Sequence, residues 1–269
     1  MNDLSRLSLN QRTINRWSLR EAIEGCARHS IPYIGIWRDK LAEQPIALTN
    51  QQLRDANLKV SSLCRGGFFS APTPQARAAS IEDNRRAIED CAAINAPVLV
   101  LVCGPAHGQS LPDARATVRD AIAELAPYAQ QHNIQLGIEP LHPMYAADRS
   151  VINTLQQAND LAEQFNTAVG VVLDVFHLWW DPEIHQQIQR AAPRILGFHV
   201  SDWLNPLPHT LLGRGLMGEG IIDIPTLRSA VDATNYTGPI EVEIFNQLLW
   251  DTDPDQALTQ IINAYLAHV

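Results

Sequence analysis

Eight short β-prone runs alternate with eight amphipathic stretches along the chain, and this repeat restricts the fold more than any other feature. The runs lie at 6–10, 32–37, 58–64, 97–103, 134–140, 169–175, 195–201 and 239–245. Between them, apolar residues recur every three or four positions, as in PQARAASIEDNRRAIEDCAAIN (74–95) and DARATVRDAIAELAPYAQQH (113–132). One stretch opens on Ser18 with Glu21 three residues on, the pattern of a helical capping box. Parallel neighbours in a sheet need a crossover of a dozen or more residues, which a helix usually supplies. Eight such units in succession close most simply into a single (β/α)8 TIM barrel, an α/β fold in which residues 1–269 make one domain. No linker or low-complexity stretch interrupts the repeat.

Alternation along the strands then points to a site. Ile134, Leu136 and Ile138 share one face of their run, and Glu139 falls on the other. Val169, Val171, Leu173 and Val175 oppose Asp174, and Ile240, Val242 and Ile244 oppose Glu243. If the apolar face packs under the outer helices, both glutamates and Asp174 point into the barrel, with His199 compatible with the same direction. All four come late in their runs, at the end where barrel enzymes place their chemistry. Three carboxylates and one imidazole form a donor set for one divalent cation. Manganese is expected first, with magnesium, cobalt or zinc also admissible. Glu241 shares the face of Glu243 one layer deeper, where support of the site suits it better than ligation.

Other residues at the same end are candidates for substrate contact. Trp37 closes the second run, Arg65 follows the third, and His142 follows the fifth. Trp37 could stack on a sugar face and Arg65 could hold an anionic group, whereas core filling or rim solvation would suit them equally. For His142, contact at the lip and a plain loop position stay open. The segment 202–223 is too long for an ordinary βα turn and carries Gly213, Gly215, Gly218 and Gly220, which suits a lid or pocket wall. Within it Arg214 is the candidate for substrate contact, and Glu219 could pair with a positive group.

Composition excludes several classes. A net charge of -9 opposes a nucleic-acid partner. No run of eighteen apolar residues is present, so no membrane span is expected. MNDLSRLSLN lacks the basic and apolar regions of a signal peptide. Cys26, Cys64, Cys91 and Cys103 show no CxxC spacing and suit reduced core thiols, so a cytoplasmic location is expected. Trp179 and Trp180 are expected to be exposed after the sixth strand, at a subunit contact of a homo-oligomer or at the pocket rim.

The segments IEP (138–140), LDVFH (173–177), HVSDW (199–203), GEGIID (218–223) and VEIF (242–245), in that order, resemble the xylose-isomerase-like TIM barrel superfamily. Within it they are most similar to the sugar phosphate isomerase/epimerase family. The resemblance covers the chain in strand order and is most specific in the second half. It implies that Glu139, Asp174, His199 and Glu243 hold the metal and that His177 touches substrate. It also implies an isomerase or epimerase acting on a small ketose, keto-sugar or related carbohydrate through an enediolate, with Glu139 and Glu243 as the acid/base pair. A dehydratase or lyase acting on a keto-polyol or keto-glycoside would use the same metal site, and a non-catalytic sugar-binding protein would keep only the barrel. Endonuclease IV relatives share part of the ligand pattern. The third run here ends in Cys-Arg-Gly-Gly without histidine, and no Asp-x-His follows the seventh strand, which departs from that chemistry.

Overall fold

All eight expected runs form strands, and they pair in parallel into a closed barrel in the computed structural model, which describes residues 3–165 and 168–269. The strands are β1 (Leu7–Asn10), β2 (Tyr33–Trp37), β3 (Lys59–Gly67), β4 (Val98–Val102), β5 (Gln135–Ile138), β6 (Val169–Asp174) and β7 (Ile195–Val200), followed by a closing strand, Ile240–Val242. Neighbours follow chain order, and the closing strand completes the ring between β7 and β1. The outer helices include Leu19–Arg28, Pro74–Ala93, Leu111–Gln131, Leu155–Ala162, Ile224–Asp232 and Pro254–His268. The chain therefore folds as a single (β/α)8 barrel.

Local signals in the sequence account for these elements. The Ser18 hydroxyl accepts from the Glu21 amide, and Glu21 Oε2 accepts from the Ser18 amide at 2.8 Å, so the expected capping box starts the first outer helix. Such a cap contributes about 1 kcal/mol. Proline stands in the first turn of the helices starting at Pro74, Leu111, Ile224 and Pro254, where its missing N–H costs nothing. Among the described residues no helix is long and apolar enough to cross a membrane. All four cysteines are buried and unpaired, as reduced core thiols would be.

Pleating divides the apolar residues into two sets. Leu136, Ile138, Val171, Leu173, Ile240 and Val242 belong to the large core between barrel and helices. Val98, Val100, Val172 and Cys64 point the other way and form a small separate cluster that plugs part of the barrel interior. The rest of that interior is polar. Ser8, Ser61, Ser62 and Glu241 occupy it below the C-terminal ends of the strands, all buried.

Two stretches differ from expectation. β3 continues to Gly67 rather than ending at Cys64, because Arg65 is accommodated as a bulge. The ladder to β4 pairs Cys64 with Val100 and Gly66 with Leu101, leaving Arg65 as the extra residue. A bulge lets a strand re-aim one side chain without ending the sheet. Gly67 closes this strand at φ +102, with a would-be Cβ only 1.9 Å from the Val102 carbonyl oxygen, so no other residue fits there.

The segment 202–223 is no free lid at its base. Asp202–Trp203 pairs antiparallel with Arg214–Gly215. The buried Asp202 carboxylate accepts from the amides of Trp203 (2.8 Å), Gly218 (2.9 Å), Gly220 (2.9 Å) and Ile222 (3.0 Å). Glu219 is exposed and accepts from the Leu216 amide at 2.8 Å, so its partner is backbone rather than a cation.

The polar floor of the barrel depends on Gly35. A Cβ there would lie 2.2 Å from Glu241 Oε1, a buried oxygen with its own hydrogen bonds. Gly35→Ala is expected to cost about 1–3 kcal/mol of stability through overpacking. Urea denaturation reads this directly, and an unchanged midpoint would show that Glu241 is free to move.

Candidate active site and metal centre

Register brings the four candidate ligands together. Asp174 and His199 are partners across β6 and β7, and His199 is level with Glu241 on the closing strand. Glu139 and Glu243 lie one residue beyond their strands, yet the ladder still holds them: the Glu139 amide donates to the Leu101 carbonyl and the Glu243 amide to the Val200 carbonyl, each at 3.1 Å. Thr13 fixes the backbone on both sides of Glu243, its hydroxyl donating to the Val242 carbonyl (3.0 Å) and accepting from the Ile244 amide (2.9 Å).

The outcome is one compact group. Ligand atoms from Glu139, Asp174, His199 and Glu243 all lie within 4.8 Å of one another, and every one of the four residues is buried. His199 Nδ1 faces Glu243 Oε2 at 3.4 Å and Glu139 Oε1 at 3.5 Å. Both His199 Nδ1 and Glu139 Oε1 are buried without a hydrogen-bond partner. Buried polar atoms are nearly always satisfied, so two orphans facing each other inside an oxygen-rich cluster mark a place for a cation. The donor set fits a divalent metal.

Support comes from below and from one side. Glu241 accepts from Asn10 Nδ2 (2.7 Å), Ser61 Oγ (2.7 Å) and Ser62 Oγ (3.1 Å), which satisfies its charge without a metal. It lies 3.9 Å from His199 Nε2, on the side of the ring away from the cluster. Asn10 Nδ2 also reaches Glu243 Oε1 at 3.2 Å, and Asn10 Oδ1 in turn accepts from the Trp37 indole at 2.9 Å. Glu241 thus places negative charge behind the His199 ring at a distance beyond hydrogen bonding.

Arg214 supplies positive charge from the side. Its Nη1 donates to Asp174 Oδ2 at 2.8 Å and lies 3.3 Å from Glu243 Oε2, and its Nη2 lies 3.2 Å from His177 Nε2. The guanidinium is held between the Phe176 and Phe245 rings, at 4.6 and 5.1 Å from their centroids. It is thus buried in an ion pair rather than projecting freely. Burial pushes the His177 pKa down to about 3, with Arg214 adding to the effect against the pull of Asp174, so the ring is neutral. Burial raises Glu139 to about 7 despite His199, and the charge of Glu243 adds to the rise. Burial also opposes ionisation of Glu243, but Arg214 and His199 outweigh it and leave that carboxyl below its ordinary value.

One cavity opens on this group. Its walls include Glu139, Glu243, His177, Arg214, Trp37 and Arg65, so most of the substrate candidates gather around it. His142 does not line it: Nδ1 accepts from the Met144 amide at 3.2 Å, and the ring lies 4.9 Å from Trp203 and 5.6 Å from Trp180. Trp179 and Trp180 are half-buried beside it rather than exposed, because Trp179 packs on Trp203 and the Trp180 indole donates to the His177 carbonyl at 2.8 Å. The cavity also has walls that sequence reasoning passed over, namely Phe68, Tyr145, Arg149, Leu211 and Phe245. Tyr145 ties one rim to another, its hydroxyl donating to the Thr210 carbonyl at the hairpin tip.

Comparison with known proteins agrees with this architecture. The chain belongs to the xylose isomerase-like TIM barrel family, whose pattern matches residues 21–265. A solved structure from Sinorhizobium meliloti 1021 is 40% identical, with TM-score 0.96 and 99% of both chains covered. The structure of IOLI protein with a bound zinc atom shares the fold at 20% identity, TM-score 0.88 and 98% coverage of both chains. Inosose isomerase of Bacillus subtilis is 23% identical over 91% of both chains. A 3-dehydroshikimate dehydratase of Pseudomonas putida is 33% identical over 160 residues, which is 55% of this chain and 23% of that enzyme. The chain thus spans only about a quarter of that dehydratase's length. The last two of these relatives carry enzyme names.

Arg214 is the arginine that neutralises the buried Asp174 and Glu243. Arg214→Met is expected to lower stability by about 3–5 kcal/mol, the cost of leaving buried charge uncompensated. Chemical denaturation in the presence of a chelator measures this. Wild-type stability in that variant would contradict the ion-pair role.

Proposed function

We propose that this protein is a divalent-metal-dependent isomerase or epimerase of a ketose, keto-sugar or related keto-polyol, working through an enediolate. The observation that carries the reading is the buried group of Glu139, Asp174, His199 and Glu243, with Glu139 Oε1 and His199 Nδ1 lacking any other partner. These four would ligate one ion. Three carboxylates with a single imidazole favour manganese, and magnesium, cobalt and zinc remain compatible with the donors. When bound, the ion would supply Lewis acidity to a substrate carbonyl and to the negative charge that develops on its oxygen.

The side chains divide the remaining work. Glu139 and Glu243 stand on β5 and the closing strand, which are not neighbours in the barrel, so their carboxylates approach a substrate from different directions. One removes the proton next to the carbonyl and the other returns a proton. Return to the same carbon inverts it, and return to its neighbour exchanges aldose and ketose. Asp174 and His199 hold geometry, and neutral His177 orients a substrate oxygen. Trp37 offers an apolar face to the sugar ring. Arg214 favours the ionised form of Glu243 and pairs with Asp174 beside the reacting atoms.

Elimination is the second reading, and the 33% identity to the Pseudomonas putida dehydratase over 160 residues favours it. The same proton removal would then be followed by departure of a hydroxyl β to the carbonyl. The full-length alignment with inosose isomerase favours the first reading, since it covers 91% of both chains.

Incubation of manganese-loaded protein in deuterium oxide with a panel of keto-polyols separates the two. Deuterium at the α-carbon, without loss of water, is the expected result, whereas a dehydrated product would establish elimination. Glu139→Gln and Glu243→Gln are each expected to slow exchange at least about 100-fold, the lower range of a positioned acid/base group. Near-normal exchange in both variants would remove them as the proton-transfer pair. A metal present at about 100 times its dissociation constant is expected to stabilise the fold by about 2.7 kcal/mol. Thermal melting with and without manganese measures this, and coincident melts would contradict the site.

A further inference from the structure

Two arginines in the cavity wall have no role in the chemistry above. Arg65, aimed by the β3 bulge, lines the same cavity as Glu139 and Glu243 and stacks on Phe68, with its guanidinium carbon 4.1 Å from the ring centroid. Among the described residues it forms no ion pair with a carboxylate. Arg149 lines the cavity as well. Its Nε is buried without a hydrogen-bond partner and stands 3.8 Å from Asp148 Oδ2, a long contact for an ion pair. The arginines nearby are different. Arg12 is paired with both oxygens of Asp39 at 2.8 and 2.9 Å, and Arg38 with those of Asp83 at 2.8 and 3.1 Å.

The cluster has three carboxylates, and a divalent ion together with Arg214 would neutralise them. Arg65 is then left facing the cavity with no carboxylate partner among the described residues, and Arg149 has only the 3.8 Å contact to Asp148, on a protein whose net charge is -9. Burial, and the neighbouring charges of Arg149, Arg12 and Arg38, all work against the charge on Arg65. A half-buried guanidinium in that position gains most from an incoming anion that takes two of its donors.

We propose that Arg65 and Arg149 form an anion-binding subsite, so that the substrate is a keto-polyol carrying a carboxylate or a phosphate ester. This rests on the proton-transfer reading for the identity of the remaining substrate, not for the existence of the subsite. The anionic group docks at the Arg65 wall while the carbonyl end reaches Glu139 and Glu243.

Calorimetric titration of the manganese-loaded protein with myo-inositol, myo-inositol 1-phosphate and quinate tests it. At least one of the two anionic compounds is expected to bind about tenfold or more tighter than neutral myo-inositol, the scale of a charge-assisted hydrogen bond. Whichever has the advantage identifies phosphate or carboxylate as the group. Arg65→Gln and Arg149→Gln are each expected to remove most of that advantage, and Arg65→Lys to keep part of it. Melting curves establish that the variants are folded. Equal affinity for all three compounds, no binding of any, or an advantage that survives both glutamine variants would overturn the subsite. Anion selectivity in protein that exchanges no deuterium would refute the proton-transfer reading alone. Exchange into neutral keto-polyols without anion selectivity would refute the subsite alone.

Discussion

Three carboxylates buried within a few ångströms of one another repel strongly, and the barrel end is arranged around that repulsion. An isolated buried carboxylate would neutralise rather than stay charged, so a group of three persists only with positive charge against it. Arg214 provides part of this from the side, on Asp174 and Glu243. Glu139 pairs with no arginine among the described residues and faces the His199 ring at 3.5 Å, and its pKa is still pushed up to about 7 by burial, with the charge of Glu243 adding to the effect. The missing positive charge is what a divalent ion would bring. On the proposed reading, ligation of the ion and activation of a carbonyl would be two consequences of one electrostatic requirement.

Backbone architecture sets how closely the charges approach. In a parallel ladder each side chain is level with a defined partner, so the pairings Asp174 with His199 and His199 with Glu241 fix distances before any side chain adjusts. Small polar residues on the inner face make room: Ser8, Ser61 and Ser62 leave space for Glu241, and Gly35 has no side chain to displace it. Glu241 satisfied by Asn10 and the two serines forms a rigid floor under His199. Asn10 connects this floor with Glu243 and with Trp37, so the deeper layer and the substrate wall share one hydrogen-bond network.

Much of this was legible in the residues because two periodicities reported it independently. The βα repeat fixed the number and order of strands, and the two-residue alternation separated Glu139, Asp174 and Glu243 from their apolar neighbours. The resemblance through LDVFH and HVSDW reached the same residues. What stayed hidden lies where no period exists. Arg149 and Tyr145 sit in the irregular segment after β5, and only the folded path carries them into the cavity wall. The bulge at Arg65 interrupts alternation, which is why the third strand was expected to stop at Cys64. Trp179 and Trp180 were expected at the surface because they follow a strand end, but Trp203 of the Asp202–Trp203 segment packs on Trp179 and the Trp180 indole donates to the His177 carbonyl. Their role in assembly is therefore not suggested by exposure.

Anomalous diffraction from crystals grown with manganese tests the central claim most directly. A single anomalous peak bounded by Glu139, Asp174, Glu243 and the Nδ1 of His199 is expected. A peak bound elsewhere, or none in that cluster at millimolar manganese, would contradict it.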